Sequence, residues 1–184
     1  QDMNPSVTNL LDAFDNLPVD QVIILPNNKN IQMAAEQAAH LTSKQVLILP
    51  TTTVPQGIGA MLAFSPDGNV DEVYDKMHTQ IGEVETGEVT TATRSVMLDD
   101  VTVEEGQFIG LHNGTLICAS DSVENCALDL LSMMVSEEMD LITLYYGNGV
   151  EGRAAETLAV TVQTAYPELD VEVHSGGQLH YHYI

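Results

Sequence analysis

Four short stretches of the chain concentrate side chains that can hydrogen-bond a ligand or a partner. They are PNNKN (26–30), PTTTVPQG (50–57), YGNGVEG (146–152) and HSGGQ (174–178). Asn, Thr, Ser, Gln and Gly dominate them, and ionisable groups are few. Such an assortment recognises by neutral hydrogen bonds and has little with which to move a proton. The candidate binding residues are Asn27, Asn28 and Asn30, then Thr51, Thr52, Pro55, Gln56 and Gly57, then Asn148, Gly176 and Gly177. Asn28, Thr51 and Asn148 have a second, plainer reading as helix caps and turn formers.

Other chemistries find less support. The phosphate-cradling pattern GxxxxGK[ST] is absent, and Gly57 to Leu62 is too poor in glycine for a dinucleotide fingerprint. Only Lys29 and Arg153 bring positive charge to the four stretches, which leaves ATP phosphates little to hold them. His180 and His182 alternate along HYHYI and would share one side of a strand, as metal-binding pairs can. No third ligand has a readable spacing, and a plain surface strand is the stronger expectation. His40, His78 and His112 are scattered singles. His174 is a fourth such single, at a strand end, and the only candidate for carbonyl addition, though it sits in no matching motif. GxSxG and HExxH are both missing. Asp99, Asp100, Glu104 and Glu105 read as a solvated acidic face, and Cys118 and Cys126, outside any CxxC motif, as reduced buried thiols of a cytoplasmic protein. No catalytic residue and no metal site is assigned.

The charge balance narrows the partners. Of 184 residues, 27 are acidic and 5 are Lys or Arg, for a net charge of −22. Nucleic acids and anionic membrane surfaces require the opposite sign, so neither is expected as a partner. No apolar run reaches the ~20 residues of a membrane-spanning helix. The excess of acid serves solubility or a docking surface for a less acidic protein.

The elements that must position these stretches follow from hydrophobic periodicity. Residues 1–20 form a lead-in segment with a short helix near Ser6 to Phe14. Gln21 to Leu25 and Gln45 to Leu49 are strands apolar on both faces, and the sequences QVIILP and QVLILP repeat at an offset of 24 residues. The helix between them carries Ile31, Ala34, Ala35, Ala38 and Leu41 on one stripe. Pro55 opens the next helix, and Asn69 caps another that runs to Glu83. Residues 84–120 alternate in polarity, with a hairpin turn at Asn113-Gly114, and read as an antiparallel β-rich insert. Asp121 is the expected cap of the following helix, with Glu124 three residues on. Strands at Leu141 to Gly147 and Leu169 to His174 flank a helix from Gly152 to Ala165. Alternation of strands and helices predicts one α/β domain over 1–184. Its sheet should be mixed and largely parallel, with helices on both faces. All four polar stretches would then lie along one edge of that sheet, where open α/β sheets bind ligands.

At this level of detail the sequence resembles a known family. VIILPNNKNIQMAAEQAA, LPTTTVPQGIGAMLAF, VETGEVTTATRS, EEGQFIGL and LITLYYGNGV, in that order, are similar to the C-terminal region of the bacterial fatty-acid kinase catalytic subunit. That family also carries the labels dihydroxyacetone-kinase-like and DAK phosphatase. The blocks run from about Met3 to the end. The resemblance implies the fold of DegV-like fatty-acid-binding proteins and of the substrate subunit of dihydroxyacetone kinase. It further implies a parent kinase whose ATP- and Mg-using domain lies N-terminal to this stretch, so that no cofactor is expected here. The stretch itself would be non-catalytic and would engage an acyl-binding, DegV-like partner whose bound fatty acid the kinase domain phosphorylates. Asn27, Asn28, Asn30, Pro55, Gln56 and Gly57 are the positions that match family motifs. Thr52 stands where the family has Lys, which removes a positive charge. QDMNPS resembles the tail of a family junction segment, with Asp2 in place of Thr, and GGQ recurs at Gly176 to Gln178. Together with a start at Gln1, this leads us to expect a segment of a longer protein. A small-ligand or enzymatic site of the dihydroxyacetone type is the alternative, and a homodimer is kept as an additional association.

Overall fold

A computed structural model describes residues 4–98 and 101–184. The chain divides into two compact units, residues 1–84 and 85–184, each built around its own core.

The first unit begins with α1 (Val7–Asp15), capped by Ser6, whose hydroxyl accepts the Asn9 N–H at 3.2 Å. Strands β1 (Gln21–Ile24) and β2 (Gln45–Ile48) follow, separated by α2 (Lys29–Ala39). They pair in parallel with Gln21 opposite Gln45 and Ile24 opposite Ile48. The 24-residue offset of the sequence repeat is therefore the register of the sheet. A strand–helix–strand unit has to bring equivalent apolar positions side by side, and similar strands satisfy that together. Beyond β2 come α3 (Val54–Leu62) and α4 (Val70–Ile81). Leu49, Ala60, Val73, Met77 and Ile81 form the core under them. Asn69 caps α4 as expected, accepting from the backbone of Asp71 and Glu72 at 3.0 and 3.3 Å.

The second unit opens with a meander: β3 (Gly87–Thr91), the hairpin β4 (Val96–Leu98) and β5 (Val101–Val103), then β6 (Phe108–His112) and β7 (Thr115–Ser120). After it come α5 (Val123–Met134), β8 (Leu141–Tyr146), α6 (Gly152–Ala165), β9 (Asp170–Ser175) and β10 (Tyr181–Tyr183). Six strands join in the order β7-β6-β3-β10-β8-β9, while β4 and β5 pair only with each other. Both helices contribute to one core with the sheet, through Cys126, Ala127 and Leu130 of α5 and Ala155, Leu158 and Val162 of α6.

The mixed α/β class stands, and three expectations within it are corrected. Among the described residues only β1–β2 and β8–β9 run parallel; β3, β6, β7, β8 and β10 are linked by antiparallel ladders, so the expected predominance of parallel pairing does not hold. The β-rich stretch is not an insert in a larger sheet, because it supplies half of the second unit's sheet. Third, β10 is no terminal surface strand: it lies between β3 and β8. Ladder bonds join Tyr145 and Ile184 in both directions, at 2.8 and 3.0 Å, and hold it there. At the start of α5 the cap is Ser122 rather than Asp121; its hydroxyl accepts from Asn125 at 3.4 Å, while Asp121 accepts from the Gln107 side chain at 2.8 Å.

Candidate functional site

The strand-end loops of the first unit are fastened to one another. The backbone turns at Asn27 into the left-handed region, with φ 56°, a conformation Asn tolerates better than most residues. Its N–H donates to Thr51 Oγ1 at 3.1 Å, and Thr51 is fully buried. Residues that follow Pro26 and Pro50 thus lie side by side, as the repeat suggested. Asn28 caps α2 by accepting the Asn30 N–H at 2.8 Å. Thr53 caps α3, accepting from the Gln56 N–H at 3.3 Å, and Pro55 sits in the first turn. Gln56 reaches back past the cap, its Oε1 accepting from the Thr52 N–H at 2.9 Å and the Thr52 hydroxyl at 3.0 Å. Gly57 faces Asn27 so closely that a Cβ there would lie 2.8 Å from the Asn27 Cγ. The Asn27 Oδ1 is buried without a hydrogen-bond partner.

In the second unit the other two loops are also tied together. The Asn148 N–H donates to the Gln178 carbonyl at 3.0 Å, and the Gly176 N–H to Tyr146 at 2.9 Å. Gln178 Nε2 donates to the Tyr145 carbonyl at 2.7 Å. Gly177 has φ 68° and lies against Asn148, a conformation for which glycine is suited. Asn148, Gly176 and Gly177 are therefore neighbours. They belong to a different sheet from Asn27, Asn28, Asn30, Thr51, Thr52, Pro55, Gln56 and Gly57. The expected single edge of four loops is two edges of two loops. Among the described residues β1 and β2 form a sheet of their own, and β8 and β9 are built into the six-stranded one.

Chemically, both edges consist mainly of uncharged groups, several of them bonded to one another. The donors of Asn27, Asn30, Thr52 and Gln56 named above all find acceptors within the loops. Lys29 is the one ionisable side chain in 26–30 and 50–57. Such an edge offers turns fixed by local hydrogen bonds and little charge. Thr53 and Gln178 are the residues that sequence reasoning misses. Their signals are a Thr directly before Val-Pro and the last residue of GGQ.

The remaining candidates disperse. His182 bonds the Thr91 hydroxyl at 2.9 Å and stacks edge-on against Phe108, with ring centres 5.1 Å apart. His174 lies 3.2 Å from Glu172 and beside Tyr145. No group of three or more His, Cys, Asp or Glu side chains suited to a metal occurs among the described residues. Asp99 and Asp100 lie outside the described residues. Cys118 and Cys126 are both buried free thiols, and Cys126 is pushed well up, first by its contact with Cys118 and then by burial. Glu85 receives the His112 ring nitrogen at 2.6 Å and Asn113 Nδ2 at 2.5 Å, a cluster that closes the β6–β7 turn onto β3. A cleft of ≈ 410 Å³ opens between α5 and α6, lined by Glu124, Leu128, Glu151, Arg153 and Thr157 among others, and it includes none of the candidate binding residues. No helix is long and apolar enough to cross a membrane among the described residues.

The family of FakA-like C-terminal domains, named for the fatty acid kinase, matches residues 1–184 in full. The chain belongs to this family. Among curated relatives, protein YloV of Bacillus subtilis is 40% identical over 184 residues, covering 100% of this chain and 33% of the relative. Protein SH1689 of Staphylococcus haemolyticus is 33% identical with the same coverage. The chain thus spans about a third of the length of these relatives. Among solved structures, a DegV lipid-binding protein from Thermotoga maritima superposes with a TM-score of 0.63 at 14% identity, covering 94% of this chain and 69% of the other. The Streptococcus pneumoniae fatty acid kinase B3 protein, loaded with linoleic acid, gives 0.61 at 12% identity, covering 93% and 69%. At such low identities the likeness establishes a shared DegV-type fold, and the family match places the domain in a fatty-acid-related setting.

Proposed function

We propose that this FakA-like C-terminal domain is a recognition domain that engages an acyl-binding, DegV-type protein. Phosphoryl transfer to the bound fatty acid, with ATP and Mg²⁺, belongs to a separate domain of the longer protein. The observation that carries the reading is the pairing of a full-length family match with strand-end loops whose polar groups bond one another. A catalytic edge needs a group that can take up or release a proton, and a small-ligand cradle needs free donors. In the loops of the first unit the only ionisable side chain is Lys29, and the backbone N–H groups of Asn27, Asn30, Thr52 and Gln56 are taken up internally. The same internal bonding counts against the dihydroxyacetone-type alternative. Isothermal titration of the chain with a DegV-type protein carrying a bound fatty acid tests the proposal. Binding at or below tens of micromolar is expected. Absence of heat, alongside binding by a full-length relative, would sink it.

A further inference from the structure

The chain has two cysteines, and they meet inside the second unit. Cys118 lies on β7, and Cys126 lies near the start of α5, the helix that follows. The Cys118 thiol donates to the Cys126 carbonyl at 3.7 Å, and the two thiols are themselves in hydrogen-bonding contact. Gly110, opposite Cys118 on β6, leaves the room for this. A Cβ there would run into the Cys118 sulfur and come within 3.3 Å of Leu130 Cβ on α5. Val89, Leu130, Ile142 and Leu158 share the same core and serve only to fill it. The two thiols can do something else: they can join.

Two features set the pair apart from inert filling. Strand β7 is an edge strand, at the end of the order β7-β6-β3-β10-β8-β9. Cys118 keeps 7% of its surface exposed there, whereas Cys126 keeps none. Contact also makes the sulfurs unequal. Cys126 holds the Cys118 thiol below its ordinary value, against the effect of burial. Contact with Cys118, and then burial, pushes Cys126 up. Cys118 is thus both the nearer to solvent and the first to give up its proton, which are the properties of an attacking thiol. Cys126 stands beside it as the thiol that completes the reaction.

We propose that Cys118 and Cys126 form a dithiol modification site, at which a small peroxide converts the pair into an intrachain disulfide between β7 and α5. The inference is independent of the recognition role proposed above. The Cys118 thiolate attacks one peroxide oxygen and the O–O bond breaks. Hydroxide leaves and takes up the Cys118 proton as water, and Cys118 becomes a sulfenic acid. The Cys126 sulfur then attacks the Cys118 sulfur, the S–S bond forms and the S–O bond breaks. The second hydroxide leaves with the Cys126 proton as water. Two thiols are oxidised by two electrons in all, and one peroxide is reduced to two waters. Access comes from brief openings at the sheet edge, where strands are held from one side only.

The test treats the folded chain with hydrogen peroxide and counts free thiols by alkylation in guanidinium. Electrophoresis without reductant separates monomer from dimer. Both thiols are expected to disappear together in a monomer, and to return when dithiothreitol is added. Cys126→Ser should stop at the sulfenic acid, which dimedone traps. Cys118→Ser should lose its remaining thiol roughly tenfold more slowly than the wild-type pair. Circular dichroism checks that both variants fold, and the wild-type count decides by itself if either does not. Thiols that survive peroxide sufficient to oxidise the exposed Met33 and Met133 to sulfoxide overturn the inference. So do thiols lost only after the chain is unfolded, or lost into disulfides between chains. Loss of the Cys118→Ser thiol at the wild-type rate overturns it as well, because the two sulfurs would then react separately.

Discussion

At the scale of single residues, the close approach of Asn27 and Gly57 links two loops that are far apart in sequence. Gly57→Ala should destabilise the first unit by about 1–3 kcal/mol, since the new methyl meets a buried carboxamide. In an Asn27→Gly background the obstacle is gone, and urea unfolding should show a much smaller loss for the same change. Two carboxyl groups at the start of the second unit should respond oppositely to pH. The hydrogen bond from His112 holds the Glu85 carboxyl below its usual value, assisted by Asn113 and opposed by burial. A depressed folded pKa contributes stability above the unfolded value that is lost as pH falls through the folded one. Glu85→Gln should therefore lose up to ~1 kcal/mol near pH 5.5, the scale of an exposed pair, and progressively less as pH falls through the folded pKa. Burial raises Glu88. A raised folded pKa gives stability that is present in acid and lost as pH rises through it, so Glu88→Gln should raise the urea midpoint at pH 7 and lose that advantage below about pH 4.

At the scale of elements, caps and strand position carry the argument. Asn69 alone accepts two backbone donors of α4, so Asn69→Ala should cost about 1 kcal/mol in thermal or urea unfolding. The last strand is short yet central. Truncating the chain after Gln178 removes β10 and opens the six-stranded sheet between β3 and β8. Amide hydrogen exchange should then show protection lost across β3, β8 and β9, whereas trimming a surface strand would leave those amides unchanged. Outside residues 84–120 and the last strand, sequence reading places element boundaries within about two residues, because apolar period and capping chemistry are local. The cap of α5 goes to Ser122 because its hydroxyl, and not the Asp121 carboxylate, reaches the Asn125 N–H.

At the scale of the whole molecule, charge governs both folding and association. With 27 acidic groups against 5 basic ones, self-repulsion favours the unfolded chain. Raising NaCl from about 20 to about 300 mM shortens the Debye length from roughly 20 to 6 Å and should raise the melting temperature. In the complex proposed here the same salt should weaken association, since attraction across the interface is screened as well. Opposite effects of one variable on folding and on binding separate internal repulsion from attraction to a partner.

By itself the sequence determined the α/β class, the paired strands 24 residues apart and the hydrogen-bonding composition of the strand-end loops. Each of these depends on local pattern or on composition. Tertiary structure alone decided that the four loops form two edges in two sheets. It also decided that the C-terminal HYHYI is an inner strand, and that Cys118 and Cys126 meet. These depend on which strand pairs with which, and on how near α5 comes to the sheet at Gly110. Ladder bonds are the same between any two strands, so composition does not name the partner. The partner is chosen when the whole set of strands and helices is packed at once.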